Sequence, residues 1–311
     1  MRKKILIVLG DPNSVNSEII FKSLRQINNS LRNSIYLIAN YDLLKKQFRK
    51  LKYSLNLSHI ENINQKISSK NIKVLNLDLK FKNPFKVSKK QSSEFVKKSL
   101  NYAHKLAKKK EVCGIINCAI DKSLLDIKGK GVTEYLARKC NIPKESEVML
   151  IYNNKLSVSP VTTHIDVSQI SKNINKKLLI KKIQTIEYSF KKYFKKKPRI
   201  AILGLNPHNS EMKKNSIEKK VILPTVKKLQ KLGIKVNGPL VADTIFINEF
   251  KNYDVIIGMY HDQVLAPFKA LYKFDAINIT LGLKYLRTSP DHGTAKNLIG
   301  KNKANPLSLI N

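Results

Sequence analysis

The apolar positions of this chain follow two periods in turn. Ile5–Leu9 and Ile35–Ala39 are short, unbroken apolar runs, and Val112–Cys118 is a short, mostly apolar one. Runs of this kind predict strands buried on both faces, as in a parallel sheet. Between them the period lengthens. A helix is predicted over Ser17–Ile27, and Glu94–Ala107 sets Phe95, Val96, Leu100, Ala103 and Ala107 at helical spacing. Val148–Tyr152 and Leu156–Val158 read as a strand pair around the turn Asn153-Asn154. One helical pattern then runs from Val167 to Tyr193 and closes on Lys195-Lys196-Lys197-Pro198, a basic last turn and a breaker. Arg199–Leu203, Val255–Ile257 and Ile277–Leu281 are further strands. Ile217–Leu232 is a helix with Ile217, Val221, Val226, Leu229 and Leu232 inward, kinked at Pro224 and stopped by Gly233.

Strands and helices that alternate in this way predict an α/β protein with a largely parallel sheet. A length of 311 residues sets an expectation of two domains. Hydrophobic residues make up 42%, enough for a packed core, which excludes wholesale disorder. No run approaches the roughly 18 apolar residues of a membrane span, so no membrane partner is expected. The basic start and Ile5–Leu9 imitate a signal peptide, but the apolar stretch is short and Asp11-Pro12 follows it. Three cysteines (Cys113, Cys118 and Cys140) form no disulfide framework and suit a reducing, cytoplasmic location.

Charge changes the picture less than its size suggests. Lys+Arg is 59 against 22 Asp+Glu, a formal +37. Only seven of the basic residues are Arg: Arg2, Arg25, Arg32, Arg49, Arg138, Arg199 and Arg287. Arg is the residue suited to bidentate contacts with guanine and phosphate, so its scarcity argues against specific nucleic-acid recognition. Lys, Asn and Ile rise together, as drift toward AT-rich codons produces. A functional basic surface is the second reading.

The candidate chemistry lies in four histidines that follow strands: His164, His208, His261 and His292. Ligands of parallel α/β folds gather beyond the carboxyl ends of strands. Three imidazoles there suit a divalent ion with positions left open to substrate. The competing reading, that each His only bonds within its loop, has about equal weight on pattern alone. His59 and His104 are expected on the surface. Gly10-Asp11-Pro12 is a turn at a strand end. There is neither a Gly-x-Gly-x-x-Gly nor a Walker sequence, so no nucleotide fingerprint is present. Lys122, Lys269 and Arg287 are candidate partners for phosphate or carboxylate, Arg287 the most telling because Arg is scarce.

Taken in order, Gly204-Leu-Asn-Pro-His208, Asn237-Gly-Pro-Leu240 with Ala242-Asp-Thr244, Met259-Tyr-His-Asp-Gln263, Asn278-Ile-Thr-Leu-Gly-Leu283 and Arg287-Thr-Ser-Pro-Asp-His-Gly-Thr-Ala295 resemble the 4-hydroxythreonine-4-phosphate dehydrogenase family. Thr162-Thr-His164 and Gly10-Asp-Pro12 fit the same pattern. The resemblance implies a two-domain fold like that of isocitrate and isopropylmalate dehydrogenases, with the active site in the cleft. The expected domains are 1–135 with 285–311, and 136–284.

The resemblance also implies an NAD- or NADP-dependent oxidation of a small phosphorylated amino acid in pyridoxal phosphate biosynthesis, aided by one divalent ion (Zn, Mg or Co). It implies a homodimer with a shared active site, in which His164 and His208 bind the metal from one subunit and His261 from the other. Thr133, Lys269, Asn278 and Arg287 match substrate-binding positions. Asp243 and Lys122 fall in motifs beside the site and are the candidate catalytic groups.

Three places depart from the family pattern. Val132 stands where the family has a substrate-contacting His. Asn13-Ser-Val-Asn-Ser17 and Asn209-Ser-Glu-Met-Lys-Lys214 replace glycine-containing stretches. Val132 supports an alternative, a paralogous dehydrogenase of another phosphorylated hydroxy acid. A weakly active homologue acting as a basic binding protein is the other alternative, and retention of all three histidines speaks against it.

Overall fold

A computed structural model describes residues 4–65, 67, 71–125, 131–143 and 145–311; Arg2 lies outside them. The chain is α/β and divides into two units, Met1–Cys140 with Leu283–Asn311, and Asn141–Gly282. Strands β1 (Ile5–Val8), β2 (Ile35–Ala39), β3 (Leu57–Ile60), β4 (Ile72–Asn76) and β5 (Gly114–Asn117) belong to the first. Strands β6 (Val148–Tyr152), β7 (Ser157–Pro160), β8 (Ile200–Leu203), β9 (Val236–Leu240), β10 (Val255–Gly258) and β11 (Ile277–Leu281) form the second. The last strand, β12 (Leu286–Pro290), returns to the first unit.

In the first unit the order is β3-β4-β2-β1-β5-β12, and every pair is parallel. The central strands are apolar on both faces because helices cover both, and Leu6, Val8, Leu37, Ile38 and Val74 are fully buried. The helix Lys89–Lys108 lays Phe95, Val96, Leu100 and Ala103 against this sheet. The C-terminal segment is fixed by a small apolar cluster of Val15, Ile19 and Ala304.

In the second unit the order is β11-β6-β7-β10-β8-β9. Antiparallel β11, β6 and β7 adjoin parallel β7, β10, β8 and β9. The helix His261–Tyr272 turns Val264, Leu265 and Phe268 into a core with Ile151, Val158, Ala201, Leu203 and Ile256.

Two expected helices differ. The pattern over Val167–Tyr193 is broken: a short turn ends at Asn173, and Asn175 then caps a new helix, Lys176–Ser189, by accepting from Leu178 N. An Asn side chain competes well for the first free N–H groups, so it starts a helix where apolar spacing alone would continue one. In Ile217–Leu232, a π turn over Glu218–Ile222 precedes the helix Leu223–Lys231. The wider turn accommodates Pro224, whose ring cannot fit under a regular α turn. It also moves the inward face by one position. Glu218 and Ile222 are buried in place of Ile217 and Val221, and Leu232 is exposed.

His104 is not a surface residue; it is half-buried, with Nδ1 2.9 Å from Tyr285 Oη. Burial first, then Lys108, Lys139 and Lys284, push its pKa below the ordinary value. The helix Tyr41–Lys50 and strands β3, β4, β9 and β12 had no strong apolar run to announce them.

Gly10 has φ +80, and a Cβ there would lie 2.5 Å from the backbone oxygen of Ala119. Asn16 bridges the same two loops, donating to Leu9 O and Ala119 O at 2.8 Å each. Gly10→Ala should therefore destabilise the protein by about 1–3 kcal/mol, read as a lower urea midpoint. An unchanged midpoint would show that the two strand ends can separate freely.

Candidate functional site

Strands β7, β10 and β8 lie side by side and run parallel, with Gly258 opposite Pro160 and Ile257 opposite Ile202. Their carboxyl ends are therefore level. His164, His261 and His208 each follow one of these ends by a few residues. Main-chain and side-chain bonds hold the three exits together. Val161 N donates to Gly258 O at 2.8 Å, and Thr162 Oγ1 donates to Met259 O at 2.7 Å. Gln263 accepts from Met259 N and donates to Gly204 O, both at 2.7 Å.

The rings of His164 and His261 stand 5.7 Å apart between centroids. Two imidazoles on one tetrahedral ion, each bonded at about 2.0–2.1 Å, place their ring centres roughly 5 Å apart. The donor pair therefore fits a divalent ion to within a small side-chain adjustment. Asp262 Oδ1 lies 2.6 Å from His261 Nδ1, which leaves Nε2 as the nitrogen for a ligand. Both rings belong to one chain. His164 is exposed, His261 half-buried. Among the described residues, no group of three or more His, Cys, Asp or Glu side chains is gathered as a metal would need.

His208 opens an unusual backbone stretch. His208, Asn209, Ser210, Glu211 and Met212 have φ of 48, 55, 50, 44 and 56. This is the left-handed region, where side chains cost roughly 1–2 kcal/mol per residue. The replacements for the family's glycines thus adopt a conformation that glycine adopts without strain. Asn209, the best suited of them, is buried and donates through Nδ2 to Pro239 O at 3.2 Å. Its Oδ1 packs over Gly204, where a Cβ would lie 2.0 Å away.

In the first unit, Arg287 is 3% exposed. Its Nε donates to Asn117 Oδ1 at 2.6 Å, and its Nη1 to Thr133 Oγ1 at 3.4 Å. Burial lowers its pKa to about 10, against the opposing pull of Glu134, so the guanidinium stays charged at neutral pH. Val132 is the half-buried first residue of the helix Val132–Lys139, beside Thr133. Glu134 Oε2 accepts from Gly131 N at 2.8 Å and fixes the start of that helix.

Exposed Lys122 passes near Gly131, within 3.9 Å of where a Cβ would be. Its neighbour Asp121 pairs with Lys296 at 2.6 Å. In the second unit, Asn278 on β11 keeps a buried Oδ1 without a partner among the described residues. Lys269 is exposed in the last turn of the helix that His261 opens. Asp243 is exposed on the short helix Ala242–Ile245, which packs on the His208 turn. His292 bonds within its own loop, Nδ1 to Gly293 O at 2.9 Å.

Sequence reasoning assigned no role to Glu218, Gln263 or Asn117. Gln263 ends the motif Met259-Tyr-His-Asp-Gln263. Glu218 follows Ile217 directly and so lies off the inward face expected for that helix.

Hydrogen bonds from Lys296, then Ser123, hold Asp121 at about 2 instead of 3.8. A carboxylate lowered in the folded state adds stability above its unfolded pKa and loses it as pH falls through its folded one. The thermal-stability gap between wild type and Asp121→Asn should thus be full above about pH 5 and close toward about pH 2. A gap independent of pH would contradict the pairing.

Residues 30–311 match the family described as Pyridoxal phosphate biosynthetic protein PdxA. The chain is 38% identical over 315 residues to 4-hydroxythreonine-4-phosphate dehydrogenase of Sulfurihydrogenibium sp. (strain YO3AOP1), covering 99% of this chain and 95% of that one. It is 30% identical over 328 residues to D-threonate 4-phosphate dehydrogenase of Pectobacterium atrosepticum, covering 99% and 97%. The crystal structure of 4-hydroxythreonine-4-phosphate dehydrogenase from Klebsiella pneumoniae superposes with TM-score 0.86 at 29% identity, covering 99% and 96%.

Proposed function

Because the chain belongs to the PdxA family of pyridoxal phosphate biosynthesis, we propose that it oxidises 4-hydroxythreonine 4-phosphate at the expense of NAD⁺ or NADP⁺. The substrate's secondary alcohol gives a hydride to the nicotinamide and a proton to a base. The product is a β-keto acid, which loses CO₂ to leave 3-amino-2-oxopropyl phosphate. The observation that carries this reading is the pair of imidazoles, His164 and His261, set side by side at the level ends of β7 and β10.

His164, His208 and His261 would hold a divalent ion, Zn²⁺, Mg²⁺ or Co²⁺. Such an ion supplies Lewis-acid polarisation of the substrate hydroxyl and carbonyl. Arg287, held by Asn117 and Thr133, presents a fixed positive charge to phosphate or carboxylate. Asn278 on β11 is proposed as a substrate-binding residue. Lys269 adds charge, and Asp243 and Lys122 are the candidate proton carriers.

The active unit is a homodimer in which a second copy completes the site. With His164 and His261 side by side in one chain, His208 is proposed as the ligand from the other subunit. Mixing chains that carry His164→Ala with chains that carry His208→Ala should restore about a quarter of the active sites, by random pairing of two protomers. Recovery only from His164→Ala with His261→Ala would place His261, not His208, across the interface.

NADH or NADPH formation at 340 nm tests the activity itself, with Zn²⁺, Mg²⁺ or Co²⁺ added. 4-Hydroxythreonine 4-phosphate should turn over, and His261→Ala should lower kcat by at least about 100-fold, the upper range for loss of a merely supporting contact. No turnover would sink the enzyme reading, and unchanged activity in the variant would sink the metal site. D-Threonate 4-phosphate belongs in the same assay. Val132 offers no hydrogen bond at the edge of the Thr133 subsite, which favours this second substrate class. A preference for it, reversed by Val132→His, would support the paralogue reading.

A further inference from the structure

Glu218 is fully buried, at 0% exposure, and among the described residues no cation pairs with it. An ionised carboxylate in such a place costs several kcal/mol unless oriented donors replace its water. The donors here all come from one loop. Leu205 N and Asn206 N donate to Oε1 at 2.9 Å each, and Asn206 Nδ2 reaches Oε1 at 3.1 Å and Oε2 at 3.3 Å. Leu205 and Asn206 immediately precede Pro207 and the left-handed run that begins at His208. A run of this kind persists only where its surroundings over-determine it. The π turn at Glu218–Ile222 is what points Glu218 inward.

We propose that Glu218 is a positioning residue for His208. Its buried charge gathers the N–H groups at the loop's start and holds the strained turn that sets the imidazole in place. A neutral side chain of the same shape cannot do this equally. The amide of Gln turns a donor toward Asn206 Nδ2 and lacks the charge that strengthens each bond. The proposal rests on His208 being a metal ligand, and the experiment separates the two claims.

Two measurements apply to Glu218→Gln, to His208→Ala and to the double variant, each in the full-length protein. The first is Co²⁺ affinity by titration of the metal alone. The second is amide hydrogen exchange over 205–212 in metal-free protein. Glu218→Gln should weaken Co²⁺ binding by about 10–100-fold, the usual effect of losing a group that orients a ligand. It should speed exchange over 205–212 while leaving exchange in β7 and β10 unchanged. In the His208→Ala background it should weaken Co²⁺ no further.

Wild-type affinity and exchange in Glu218→Gln would overturn the proposal. So would an equal loss of affinity in both backgrounds, because Glu218 would then act on the fold at large. If His208→Ala binds Co²⁺ like wild type, the metal reading of His208 fails, and the exchange data still decide whether Glu218 holds the loop. Should Glu218→Gln not fold, Glu218→Asp keeps the charge but shortens its reach, and the same readouts decide.

Discussion

The site depends on the parallel alignment of β7, β10 and β8. Main-chain hydrogen bonds between these strands set their ends level, with Pro160 opposite Gly258. Everything that follows a strand end then starts from one edge of the sheet. The side-chain bonds of Thr162 and Gln263 add short links across the exits, so three loops far apart in sequence leave the sheet as one structure. A slip of one residue between β7 and β10 would carry His164 away from His261.

Each candidate residue is held by a different physical device. His164 and His261 are placed by strand register. Arg287 is placed by burial, with its charge retained because Asn117 and Thr133 accept from it and Glu134 opposes the loss of its proton. The His208 turn is held against its own backbone preference by Glu218 and Asn209. These devices differ in robustness. Strand register tolerates surface drift toward lysine, whereas a left-handed turn without glycine needs a particular buried acid. The lysines that make up the large positive charge lie mainly on exposed faces.

Much of this was legible beforehand, for definite reasons. Ile35–Ala39 was readable because a fully buried strand leaves a continuous apolar run, and Val148–Tyr152 and Ile277–Leu281 because their buried positions are still mostly apolar. The histidines stood out as titratable groups just beyond such runs. Edge strand β3, with His59 exposed, and β9, interrupted by Gly238-Pro239, carry no such signal. The register shift at Glu218–Ile222 was hidden because an apolar moment assumes a constant turn, and a single π turn breaks that assumption. The links made by Glu218, Asn117 and Gln263 join residues separated in sequence, and no local pattern records them. The pairing of His164 with His261 in one chain likewise emerged only from the register.

The most direct test of the account is anomalous diffraction at the zinc edge from a crystal of the Zn²⁺-loaded protein. The account predicts one strong peak per chain, bonded at about 2.0–2.1 Å to His164 and His261 of one protomer, with His208 of a second copy completing the set. A peak away from these imidazoles, or none at all, would contradict it.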